Sequence, residues 1–423
     1  MILKFIKKHS WILTAFLAIV LIPQSLTVQS KLEGRLIITG LAIDKQDDKY
    51  IITAQAVSPS SGYISGKDSA GIDFVTVSAN SIRDGITEIA TTTSKVPGMG
   101  HLNFLLLGKS LFSEDISSVI DFVVRDSHSD TSVLLLVANN ANEEIRKTKE
   151  IELGSAIQLR KLFLSKHKMC NGVMTTANQF ISNKYNPSHS GVINYLKINL
   201  ETQNNNYSNN EANGASGLNL GLVSNEQQNN QTTSEAIKQG RIEYTTPIAL
   251  FANGFYKGEL ASEKEILGYN MLCCKSKNFI YGYADVNMQN GDTANITMQS
   301  KNKKSSLSIE IENGTPKIKI KAKLENNQIL EIAPKINSLE NYKTQGGYLS
   351  VSVKKSIEKQ LADAAVAAFE SARNQGVDIL NACNFLYRHH KKQYDNYFKA
   401  HTVEDFLKSA EFCFEIKIGN STK

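Results

Sequence analysis

The sequence predicts an α+β protein of more than one domain, with mixed and antiparallel sheets flanked by helices. Three observations predict it. Short apolar runs alternate with helical stripes between Leu36 and Val137, two alternating runs meet at Asn313-Gly314, and an apolar stripe of helical period runs from Ile357 to Ala372. At 423 residues the chain also exceeds what one hydrophobic core usually serves.

The N-terminus comes first. Lys4, Lys7 and Lys8 precede an apolar run from Trp11 to Ile22, which Pro23 and Gln24 close. That is the layout of an export signal, and the run is well short of the roughly 20 residues of a comfortable spanning helix. Residues 1–30 are therefore read as a signal peptide or N-terminal membrane anchor, with cutting before Lys31 as one outcome. The chain after Lys31 has no second long apolar run and reads as a soluble body.

Leu36–Ile43 and Tyr50–Val57 are β-rich runs around a polar turn that contains Asp44, Asp47 and Asp48, so they predict a hairpin. Ser58–Gly71 reads as a loop and Phe74–Val77 as a short strand. Asn80 or Ser81 can cap a helix carrying Ile82, Ile86 and Ile89 on one side. After the breaker Val96-Pro97-Gly98, His101–Gly108 is short, apolar and bounded by glycines, the signature of a buried strand. Ser113–Arg125 predicts a helix, Val133–Val137 another buried strand, and Lys149–Ser165 a helix with a weaker stripe of Ile151, Ile157, Leu159 and Leu162.

From Thr202 to Glu235 the composition turns to Asn, Gln, Ser and Gly, too polar to bury the surface that would offset its ordering entropy. Beyond it, Tyr244–Phe251 and Lys257–Leu260 predict strands and Glu263–Leu267 a short helix. Leu307–Glu312 and Lys317–Lys321 alternate on either side of Asn313-Gly314, which predicts an antiparallel pair with one wet face and acid-to-lysine pairing across it. A helix from about Leu349 to Gln375 ends at Gly376. Val377–Phe385 reads as a second helical segment, Leu386–Tyr397 as basic and aromatic, and Glu411–Ile418 as a closing strand.

The side chains that could carry chemistry are few. His389 and His390 are neighbours, about 100° apart on a helix, and so are poorly placed to share a metal. His101 reads as a buried, hydrogen-bonded histidine at a strand start. Asp44, Asp47 and Asp48 lack the ordered spacing of a calcium loop. No phosphate loop, dinucleotide fingerprint, Gly-x-Ser-x-Gly or His-Glu-x-x-His occurs. No catalytic, cofactor-binding or metal-binding residue is assigned, and no cofactor is expected.

Cys170, Cys273, Cys274, Cys383 and Cys413 are too scattered for a disulfide framework and read as free buried thiols. A net charge of +6, from 47 basic and 41 acidic residues, leaves no nucleic-acid footprint but suits weak attraction to an anionic bilayer. Arg388-His389-His390-Lys391-Lys392 reads as a solvated helix face, with lipid headgroups or an acidic partner surface as the functional alternative.

The order of segments is more specific than any one residue. Gly40–Lys45 followed by Tyr50–Pro59, Ser81–Ile86 followed by Gly100-His101-Leu102, Leu105–Gly108, and Asp121–Asp126 before a buried strand all occur in sequence. The strand pair, the Ile357–Ala372 helix, Val377-Asp378-Ile379 and Phe385–Tyr397 complete the series. The chain so resembles the C subunits of nutrient germinant receptors of spore-forming Firmicutes, the Ger(x)C family. The resemblance covers nearly all of the chain after the leader except the Asn/Gln run.

It implies an α+β, non-enzymatic protein of three domains at the outer face of the inner spore membrane, assembled with membrane-embedded receptor subunits in spore germination. Divided on that pattern, 31–200 is an N-terminal α/β domain, 201–236 a disordered insertion, 237–300 a β-rich middle subdomain and 301–423 a C-terminal α+β domain. The family's lipobox cysteine is absent, since the first cysteine is Cys170, so lipidation is not carried over. Partners are expected to be membrane subunits and the membrane surface, with no nucleic acid and with any nutrient ligand unassigned. The alternative is a generic exported surface binding or adhesion protein. An exported hydrolase would need a constellation that the sequence does not display.

Overall fold

The computed structural model describes residues 34–57, 72–125, 131–150, 156–202, 238–243, 246–288, 293–334 and 349–419. The expected leader, the Ser58–Gly71 loop and all but the edges of the Asn/Gln run lie outside them.

Strand β1 (Arg35–Gln46) pairs antiparallel with β2 (Lys49–Val57) across Asp47-Asp48, both left-handed at φ 48° and 62°. That backbone matches the twist of a two-residue hairpin. Asp44 therefore sits in the strand, opposite Ile51. β3 (Ile72–Ala79) adds to β2, and α1 (Ile82–Thr93) follows, with the Ser81 hydroxyl accepting from Asp84 N as its cap.

Val96-Pro97-Gly98 breaks the helix as expected and then forms β4, a short strand beside the start of β1. β5 (Phe104–Gly108), α2 (Ser117–Arg125), β6 (Leu134–Ala138) and α3 (Ala141–Lys147) come next. α4 is Ala156–Lys168, and residues 151–155 of the helix expected over Lys149–Ser165 lie outside the described residues. It buries Ala156, Leu159 and Phe163 and leaves Ile157 exposed, because the apolar face is rotated from the expected stripe. β7 (Thr175–Thr176), α5 (Ala177–Tyr185), β8 (Ser190–Tyr195), β9 (Ile198–Thr202), β10 (Lys238–Ile242), β11 (Ile248–Ala252) and β12 (Phe255–Leu260) complete the first half.

The large sheet runs β12-β11-β8-β6-β5-β1-β2-β3, with β1, β5, β6 and β8 parallel. β5 and β6 are buried at every position, as parallel strands covered on both faces must be. Leu105, Leu107, Leu135 and Val137 pack under α1, α2 and α5, while Phe104, Leu106, Leu134 and Leu136 pack against α3 and α4. β9 and β10 form a separate two-stranded sheet, Thr202 opposite Lys238.

The second sheet has the order β13 (Phe279–Asn287), β14 (Thr293–Glu312), β15 (Thr315–Pro334), β16 (Glu411–Ile418). The run 237–300 thus sends β11 and β12 into the first sheet and β13 into the second. β14 and β15 meet at Asn313-Gly314, both with positive φ. The expected acid-to-lysine pairing is only partly right. Lys317 binds Glu312, but Lys319 binds Glu415 of β16, which lies parallel to β15.

Helix α6 (Glu263–Cys273) is longer than expected and buried along Ile266–Leu272. It lies against α7 (Val351–Asn374), whose Ile357, Leu361, Ala364, Ala365, Ala368, Phe369 and Ala372 are buried at the predicted spacing. Contact is close because position 268 is glycine: a Cβ there would sit 1.9 Å from the Ala364 carbonyl oxygen. α8 (Ala382–His389), α9 (Lys391–Tyr397) and α10 (Val403–Ser409) precede β16. Val377–Asn381 is not helical, contrary to expectation. Gly376 and Asn381 are left-handed, and Asp378 turns back to accept from Ala382 N and Cys383 N, both at 2.9 Å.

Candidate functional site

Because β1, β5, β6 and β8 are parallel, their carboxyl ends share one edge, the usual place for a site in such sheets. A cleft of about 630 Å³ opens there. Lys109 follows β5, Asn139 and Asn140 follow β6, and Lys197 follows β8; Glu259 comes from β12 and Glu263 from the first turn of α6.

Its polar groups bind each other. Glu259 accepts from the Tyr195 hydroxyl at 2.8 Å and the Tyr256 hydroxyl at 3.3 Å, and its carboxylate lies 3.5 Å from the Lys109 ammonium. Lys147 pairs with Glu144 at 2.8 Å, and Lys197 with Glu243 at 3.0 Å. Glu144 also accepts from Ile198 N, which ties α3 to β9. Burial, reinforced by Glu259, pushes the Tyr195 phenol far above its ordinary value, so it stays a donor. Among the described residues no serine, threonine, cysteine or histidine lines the cleft.

The amino-end side of the same sheet meets the second half of the chain. The Ser190 hydroxyl donates to the Asp378 carbonyl at 2.9 Å, Asn384 N donates to the Ser188 hydroxyl at 3.0 Å, and the Asn186 amide donates to the Asn381 side chain at 3.1 Å. Across the other face, Cys170, just past α4, is disulfide-bonded to Cys274 at the end of α6. The expectation of five free thiols is therefore corrected: Cys383 is buried and free, Cys273 half-buried and free, and Cys413 exposed and free. Burial pushes the Cys273 thiol up to about 12.

Two models of known families match this arrangement. The one described as spore germination protein N-terminal domain covers residues 29–198, and the one described as spore germination B3/GerAC like, C-terminal, covers 246–418. The chain belongs to the GerAC-like family of spore germination receptor C subunits. None of the curated proteins matches it. It is similar to a solved structure described as the crystal structure of the GerBC protein, at 17% identity and a TM-score of 0.47, with 90% of this chain and 96% of that one covered.

The stretch that neither family model covers, 199–245, holds the Asn/Gln run of this GerAC-like chain. The residues weighed from the sequence do not gather in the cleft. His101 is exposed ahead of β5, not buried, because the strand starts only at Phe104. His389 and His390 lie exposed at the end of α8. Asp44 is spent on structure: it accepts from Asn142 N at 2.8 Å and from the Ser110 hydroxyl at 3.0 Å, anchoring α3. Among the described residues no group of three or more His, Cys, Asp or Glu side chains is placed to hold a metal, and no helix is long and apolar enough to cross a membrane.

Sequence reasoning missed Lys109, Tyr195 and Glu259. Lys109 and Asn139-Asn140 directly follow the two most apolar strands, a position that could have pointed to them. Glu259 gives no such signal, because its place beside them depends on β11 and β12 joining the far side of the sheet.

Proposed function

We propose that this chain is the non-enzymatic C subunit of a nutrient germinant receptor, held at the outer face of the inner spore membrane by assembly with membrane-embedded subunits. The observation that carries this reading is the pair of family models, in order, over 29–198 and 246–418. The Cys170–Cys274 bond supports a place outside the cytoplasm, because disulfides persist where the surroundings are oxidising. The cleft supports a recognition role, since each of its lysines already faces a carboxylate. No nucleotide, metal or other cofactor enters the reading.

The test is a tagged chain recovered from solubilised spore inner membrane. Membrane subunits should co-purify, and deletion of the gene should abolish nutrient-triggered germination. A chain recovered alone from spores that germinate normally without it would overturn the proposal.

A second reading is that of an exported surface-binding protein. It is favoured by the pairing of Thr202 with Lys238, which sets the two residues flanking 203–237 side by side. On that reading the Asn/Gln run is the contact, and its loss would affect growing cells and not spores.

A further inference from the structure

Parallel strands have amino ends as well as carboxyl ends, and in this sheet the two edges differ in character. At the amino edge, Gly34 and Arg35 begin β1, with Val96 N donating to the Gly34 carbonyl at 2.8 Å. Residues 1–33, with the apolar run Trp11–Ile22, therefore join the body at this edge.

The same edge presents large apolar side chains to solvent. Val96 is 67% exposed, Tyr185 at the end of α5 is 75% exposed, and Phe255 at the start of β12 is 45% exposed. The register places Val96 and Phe255 each at the amino end of its strand: Arg35 lies opposite Val96, and Ala252 lies opposite both Ser190 and Phe255, with the Arg35–Val96 pair about three residues further out along the strands. Tyr387, 40% exposed, lies one helical turn beyond Asn384, whose backbone N–H binds Ser188 at this edge. Four of the nine exposed large apolar residues of the described chain thus lie along this edge, Val96 beside the start of β1 and the others three to five strands away.

Cations accompany them. Arg388, His389, His390, Lys391 and Lys392 follow Tyr387 directly and are all exposed, and the Lys391 ammonium sits 4.1 Å from the Tyr387 ring centre. Arg388 and Lys392 have no ion pair among the described residues. The opposite edge carries the Asp47-Asp48 turn, the cleft carboxylates and the β9–β10 ends of the Asn/Gln run.

We infer that the amino edge of the first sheet, Val96, Tyr185, Phe255 and Tyr387 with Arg388 and Lys392, rests on the surface of an anionic lipid bilayer. Aromatic side chains seat at the level of the headgroups, and each nearby lysine or arginine is drawn to an anionic surface. The leader's point of entry favours a bilayer over a protein as the occupant, since it delivers an apolar segment to the same edge of the sheet, beside Val96. The inference rests on the membrane association in the proposed function and adds which face turns inward.

Hydrogen–deuterium exchange of the full chain, alone and with phosphatidylglycerol vesicles, tests it. Exchange should slow around Val96, Tyr185, Phe255 and Tyr387 and stay unchanged at Asp47-Asp48 and Asn140. Phosphatidylcholine vesicles should protect the edge less, and Arg388→Glu with Lys392→Glu should remove the protection around Tyr387. Slowing at the carboxyl edge, equal slowing at both edges, none at all, or equal protection by neutral vesicles would overturn the inference. If receptor subunits co-purify while vesicles leave the amino edge unprotected, this surface is wrong and the proposed function stands.

Discussion

Cys170 and Cys274 are joined across 104 positions of sequence, with their α-carbons 5.5 Å apart, and each belongs to a different family-matched half of the chain. The bond closes the loop that contains the Asn/Gln run and pins the end of α4 to the end of α6. Closing a loop of that length restricts the unfolded chain by roughly 4.7 kcal/mol in the chain-entropy account. Cys170→Ser with Cys274→Ser should lower unfolding free energy by about 2–5 kcal/mol, read from denaturant midpoints with and without reductant. Reductant should shift the native chain and leave the double variant unmoved.

Lys303 should give the chain an unusual alkaline behaviour. Its ammonium caps α6, donating to the Cys274 carbonyl at 2.7 Å and the Asn270 carbonyl at 3.2 Å, and burial lowers it to about 8. Burial also lowers Lys166 to about 8. In the unfolded chain both would hold their protons to about 10.4, so above pH 8 the unfolded state binds more protons and stability rises with pH. The rise should begin near pH 8 and flatten above about 8.5, where the Cys273 and Cys383 thiols, both raised by burial, begin to oppose it because they ionise first in the unfolded chain. Thermal melts on a Cys413→Ser background, which keeps the exposed thiol out of exchange, should show the rise. Lys166→Met with Lys303→Met should flatten it.

The buried Asp378 should respond in a different way to two substitutions. Burial raises its carboxyl, while the Ala382 and Cys383 N–H groups and the Ser188 side chain pull it back. A raised carboxyl contributes stability while protonated and loses it as pH climbs through the folded value. Asp378→Ala strands two buried donors and should cost about 2–4 kcal/mol at neutral pH. Asp378→Asn keeps an acceptor without the charge, so it should cost less at neutral pH and show a flatter dependence from pH 4 upward. Equal losses for the two variants would mean that packing, and not capping, holds the residue.

These three positions also mark how far the sequence could be read. The Ile357–Ala372 helix and the Glu411–Ile418 strand were legible because local period alone sets which side is buried. The Asn313-Gly314 turn was legible because few residues tolerate its backbone. The disulfide, the Ser190–Asp378 seam and the Lys109–Glu259 contact each join residues far apart in the chain, which no local pattern encodes. Val377–Asn381 misled for a related reason. Its residue types suit a helix, but two left-handed residues and a buried carboxylate supply a different set of hydrogen bonds.

The last expectation concerns the Asn/Gln run. Thr202 and Lys238 are already paired neighbours at the ends of β9 and β10. Replacing residues 203–237 by a short Gly-containing turn therefore joins two strand ends that are already side by side. Shortening a loop changes closure entropy only slowly, by about 0.6 kcal/mol for each halving, so unfolding free energy should rise by no more than about 2 kcal/mol. In the native chain the disulfide already encloses this segment, so the gain should be larger in the Cys170→Ser, Cys274→Ser variant than in the oxidised protein. If the run only spaces β9 from β10, spores carrying the excised chain should germinate at the normal rate. A folded, membrane-associated variant that fails to germinate would instead make the run a contact of the receptor.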